Sequence, residues 1–98
     1  MENQKDNSVV NESKEEMINK VTLFVKQQIS KWQDEGIYKA IQINVECHNE
    51  EEIFHTLYVS AIMGKVVVEG TDGMHPLSAI DVEDIAKIYV ALEKGEFH

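Results

Sequence analysis

Between Ser13 and Glu35 the apolar residues Met17, Ile18, Val21, Phe24, Val25, Ile29 and Trp32 recur every three or four positions. That spacing puts them on one face of a helix. Ser13, with Glu16 three residues on, makes a capping box at its start. Gly36 can end it in the left-handed conformation. From Ile37 to Cys47 the period changes to two. Ile37, Ile41, Ile43, Val45 and Cys47 share one side, broken by Lys39, while Tyr38, Ala40, Gln42, Asn44 and Glu46 take the other, as in a half-buried strand. The polar run His48–Glu52 reads as a hairpin turn, and Ile53–Met63 as the returning strand. Strict alternation sets Ile53, His55, Leu57 and Val59 inward and Phe54, Thr56 and Tyr58 outward. Gly64-Lys65 predicts a tight turn before a short third strand, Val66–Glu69.

Gly70-Thr71-Asp72-Gly73 predicts a loop, which Pro76 keeps irregular. A second helix is expected from about Val82 to Lys94, with Asp81 as its cap, Ile80 stapled onto Ile85 and Gly95 at its end. Its stripe is Val82, Ile85, Ile88, Tyr89 and Leu92. These elements predict an α+β fold, a three-stranded antiparallel meander with two amphipathic helices packed on one face, in the order α-β-β-β-α. The 98-residue chain suits one domain over 13–98, behind a polar segment, 1–12, expected to be disordered. The apolar run Val66–Val68 is expected on an edge strand, where a second copy could pair with it, so a homodimer or a homo-oligomeric assembly factor is one expectation.

Charge narrows the choice of partner. Eighteen acidic residues face nine basic ones, a net charge of −9, and the nine are all lysine. Such a surface repels phosphate backbones and anionic lipid and attracts cationic grooves. Without arginine the chain lacks the planar donor that most readily grips phosphate. The first helix is neutral, with Lys14, Lys20, Lys26 and Lys31 set against Glu15, Glu16, Asp34 and Glu35. The acids gather elsewhere, as Glu46 with Glu50, Glu51 and Glu52, and as Asp72 with Asp81, Glu83 and Asp84. A solvated, solubilising surface accounts for such clusters most simply; the sharper reading is a face presented to a basic protein.

Cys47, His48, His55 and His75 are the candidate metal-ligating set, but no C-x-x-C or H-x-x-x-H spacing organises them. Cys47 reads as a small apolar core residue and His55 as a partly buried polar one. Neither Asn44 nor Glu46 shares a face with Cys47, so a catalytic thiol lacks its orienting group. Gly70-x-x-Gly73 before a helix hints at an anion site, yet no lysine follows it and acids fill the helix start. No cofactor, metal or catalytic residue is expected. A single cysteine excludes an internal disulfide framework, and the polar stretch Met1–Ser13 lacks the apolar run of a secretory signal, so a reducing, cytoplasmic setting is expected.

The order of elements resembles the double-stranded RNA-binding domain, in which a basic start to the second helix grips phosphates. Here that segment is Asp81-Val82-Glu83-Asp84-Ile85-Ala86-Lys87, which is acidic. The chemistry is reversed and RNA binding does not carry over. In order and charge the chain is also similar to small phage proteins that imitate nucleic acid. That resemblance implies a non-enzymatic inhibitor of a basic, nucleic-acid-binding protein surface; the acidic clusters of this chain give Glu46, Glu50, Glu51, Glu52, Asp81, Glu83 and Asp84 as the expected contacts, and the strand pattern gives Tyr58 or Phe54 as an exposed aromatic anchor. An immunity protein or antitoxin directed at one cognate toxin is the alternative.

Overall fold

Nothing between Glu2 and Glu35 is glycine or proline, and in a computed structural model this stretch forms a continuous helix, α1 (Glu2–Asp34). The structure describes residues 2–98, with side chains from Ser13 onward, and the expected disorder of 1–12 lies outside the residues described at that level. Ser13 falls within the helix, so it does not cap the start. Gly36, at φ 82°, ends α1 as expected. The Gly36 N–H donates to the Gln33 carbonyl at 3.0 Å and the Ile37 N–H to that of Trp32 at 2.8 Å. This double closure satisfies the last carbonyls of the helix.

Four strands follow, one more than the sequence pattern predicts: β1 (Ile41–Glu46), β2 (Ile53–Val59), β3 (Val66–Gly70) and β4 (Gly73–Pro76). They form one antiparallel sheet in chain order. The stretch expected to be a loop is a tight hairpin, in which Gly70 pairs with Gly73 around Thr71-Asp72. Pro76 does not prevent this, because β4 is an edge strand and has a side with no ladder bond to make. The extra strand moves Val66–Val68 to the interior of the sheet, where all three valines are buried. They offer no open edge to a second copy. The edge of β1 is partly taken by the chain's own end, since Gln42 and His98 exchange backbone hydrogen bonds of 2.7 and 3.0 Å. Phe97 beside it meets the Phe24 ring edge-on at 5.5 Å.

A short 3-10 helix, Leu77–Ala79, leads into α2 (Val82–Glu93), which closes at Gly95 through the same paired bonds as α1. Val21 and Val25 of α1, Ile85, Ile88 and Leu92 of α2, and Ile41, Ile43, Val45, Leu57 and Val68 of the sheet share one core. On β1 the alternation holds, with Ile41, Ile43 and Val45 inside. On β2 it fails. The pairing with β3 slips between Phe54 and Thr56, where two steps along β2 match one along β3. This bulge re-phases the strand. Phe54 and Leu57, three apart, are therefore both buried, and Ile53 is exposed. The inward placement of Ile53 and the outward placement of Phe54 are both overturned. Strand β2 also stops at Val59, and Ile62 and Met63 lie exposed in the turn beyond it.

Candidate functional site

Three chain reversals meet at one end of the sheet: the β1–β2 turn, the β3–β4 turn and the start of α2. The first is tight. Cys47 and Glu52 are joined by a 2.9 Å backbone bond, Glu50 adopts φ 60°, and the Asn49 side-chain oxygen accepts from the Glu51 N–H at 3.1 Å. Glu50 and Glu51 consequently face solvent, while Glu52 turns back against the molecule. The second turn is tied to the first hairpin by the Thr71 N–H, which donates to the Ile53 carbonyl at 3.1 Å. Between them lies a cleft of about 140 Å³, floored by Cys47, Phe54 and Ile80 and walled by His48, Asp81 and Asp84 on α2's side and by Glu52 and His75 on the other.

Each histidine of the cleft is held by two carboxylates. The His48 N–H donates to Asp84 Oδ1 at 2.7 Å, its ring Nδ1 lies 3.0 Å from Asp84 Oδ2, and its Nε2 lies 3.5 Å from Asp81. Asp84 is only 4% exposed. A buried carboxylate needs such partners to offset its lost hydration. Asp81 occupies the N-cap position of α2, but its side chain makes no capping bond, contrary to expectation, and instead faces His48. His75 Nε2 lies 2.7 Å from Asp72 Oδ1 and 3.0 Å from Glu52 Oε2.

The charges of the cleft shift one another. Hydrogen bonding to Asp84 raises the pKa of His48, with the charges of Asp84, Asp81 and Glu83 adding to it against a smaller desolvation cost. Hydrogen bonding to Asp72, and then to Glu52, raises His75. Asp72 is held below the ordinary carboxylate range, first by hydrogen bonding with the Glu52 carboxyl and then by hydrogen bonding with His75. Burial pushes the Cys47 thiol up to about 11, with Asp84, Glu52 and Asp72 adding to the shift. A thiol so placed stays protonated at neutral pH and is a poor nucleophile.

The structure thus joins the two acidic runs, and brings in His48, His75 and Cys47 from the candidate metal set. His55 is left out, its ring Nδ1 lying 2.9 Å from Thr56 Oγ1. Glu46 is exposed on the outer side of β1 near this end, and the Lys87 ammonium donates to its carbonyl at 3.4 Å. Neither aromatic expected as an exposed anchor is fully exposed. Phe54 is buried in the cleft floor, and Tyr58, toward the far end of β2, is half-buried with a hydroxyl that has no hydrogen-bond partner. Sequence reading missed both histidine clamps. The spacing Asp72-x-x-His75 was a visible signal once 70–73 is taken as a hairpin, whereas nothing local links His48 to Asp84. No family model matches the chain, and no curated protein or solved structure matches it either.

Proposed function

We propose that this acidic end is the docking face of a non-enzymatic protein that binds and blocks a basic surface, such as the nucleic-acid-binding groove of a partner. One observation carries the reading. Every ion pair among the described residues involves a histidine, and no lysine neutralises a carboxylate of the cleft rim. Glu46 at the end of β1, Glu50 and Glu51 on the β1–β2 turn and Glu83 in the first turn of α2 therefore stand exposed with no cationic partner among the described residues, around a cleft that the two clamps hold in place. Preformed, unpaired charge of one sign steers association with a surface of the other sign and costs little reorganisation on binding. The high pKa of the Cys47 thiol supports the non-enzymatic part of the reading.

The test is affinity capture from a bacterial lysate at low and at high salt. It compares the wild type with the triple variant Glu50→Gln, Glu51→Gln, Glu83→Gln. The expected outcome is a basic protein held at low salt, released at high salt, retained several-fold less by the variant, and blocked from its nucleic acid while bound. Capture indifferent both to salt and to the triple substitution would overturn the proposal.

A further inference from the structure

The cluster on the β4 side of the cleft differs in kind from the clamp on His48. Asp84 gives one oxygen to the His48 backbone and the other to its ring, so each of its acceptors has its own donor. At His75, oxygens from Glu52 and Asp72 both converge on the single nitrogen Nε2. One imidazole nitrogen offers a single proton or a single lone pair. Two carboxylates and one nitrogen crowded around one point form a set of lone pairs that a single cation can serve at once.

The spacing suits an ion. Ligands about 2.1 Å from a zinc-class metal stand roughly 3.0–3.4 Å from one another. The Nε2 to oxygen separations here are 2.7 and 3.0 Å, and the three ligand atoms all lie within 4.8 Å of one another. The two nitrogen–oxygen separations need to open by only a few tenths of an ångström to match such a ligand shell. A separate observation points the same way. Cys47, 3% exposed and with no hydrogen-bond partner among the described residues, lies in the floor of the same cleft. Its sulfur is not among the three converging ligand atoms, but it leaves an unpartnered soft donor in the same cleft. Hard cations such as magnesium and calcium favour all-oxygen sites, so the imidazole ligand selects the zinc class.

We propose that Glu52, Asp72 and His75 bind a divalent first-row transition ion of the zinc class, pinning the β3–β4 turn to the β1–β2 turn. This goes beyond the docking role, and its test needs no partner. Calorimetric titration of the purified full chain with Zn²⁺ is expected to give one strong equivalent. Asp72→Asn, at an exposed position that the fold tolerates, should weaken it at least about tenfold, as should His75→Asn. Glu50→Gln, outside the cluster, should leave it unchanged, and Mg²⁺ should not displace it. The inference is overturned if Asp72→Asn binds Zn²⁺ as the wild type does, if Glu50→Gln weakens binding as much, or if Mg²⁺ competes on equal terms.

Discussion

Replacing Asp84 with alanine takes away the group that ties α2 to the β1–β2 turn, and the structure sets the size of the loss. The carboxylate is 4% exposed and accepts a 2.7 Å hydrogen bond from the His48 N–H, 36 residues away. A hydrogen bond to a charged group contributes about 1.5–3 kcal/mol. Alanine also removes the cost of burying the charge, which trims the loss, while the contact to the His48 ring adds to it when that ring is protonated. A net loss of about 1.5–3 kcal/mol is expected. In a domain of this size each kcal/mol lowers Tm by about 4–8 °C, so Asp84→Ala should melt at least about 6 °C below the wild type. Asp84→Asn keeps an acceptor oxygen for the N–H and should fall between the two. Asp81 also faces His48, but it is 69% exposed and 3.5 Å away, and Asp81→Ala should stay within about 0.5 kcal/mol of the wild type. Thermal and urea unfolding followed by circular dichroism measure all three. An Asp84→Ala protein that melts within about 2 °C of the wild type would refute the reasoning, and so would an Asp81→Ala protein that loses as much.

The raised pKa of His48 makes part of this stability depend on pH. A group whose pKa rises on folding stabilises fully below its unfolded value of about 6.5 and loses that contribution as pH climbs through its folded value. The stability gap between the wild type and His48→Gln should thus be widest near pH 6 and narrow toward pH 9 in paired denaturant titrations; a gap that is flat or widens with pH contradicts the clamp. Gly70→Ala probes the other cluster, because a Cβ there would overlap the Glu52 carboxylate while touching Phe54 at 3.1 Å. The Glu52 carboxylate lies at the end of a flexible side chain and can move aside, so stability should change by no more than about 1 kcal/mol. Zn²⁺ affinity should fall at least about tenfold, as Glu52 is driven off His75. A variant that keeps its affinity would show that Glu52 does not need this position.

What could be read from the chain, and what could not, follows from how local each determinant is. The stripe of α1 and the inward set Ile41, Ile43, Val45 and Cys47 were legible because a helix or strand fixes those faces within a few residues. Phe54 was misplaced because a bulge is a relation between β2 and β3, and strict alternation along β2 alone carries no trace of it. Strand β4 was missed for a similar reason. Gly70, Gly73 and Pro76 read as loop residues one at a time, and become a hairpin only when paired with the strand before them. That one missing strand turned Val66–Val68 from a buried strand into an imagined edge.

The acidic end shows the same division in its chemistry. Composition treats all eighteen carboxylates alike, but the fold sorts those at this end into two kinds. Asp84, Asp81, Glu52 and Asp72 are turned onto His48 and His75, where they hold the turns together. Glu46, Glu50, Glu51 and Glu83 have no such partner and remain in solvent. Neutralising Asp84 should cost stability and neutralising Glu52 or Asp72 ion affinity, whereas neutralising the second kind should cost only attraction to a basic surface. The functional proposal rests on the second kind, and the first kind explains why these exposed charges stand on a fixed framework of strand end, turn and helix start. A flexible acidic tail of equal charge would lose more entropy on docking to the same groove.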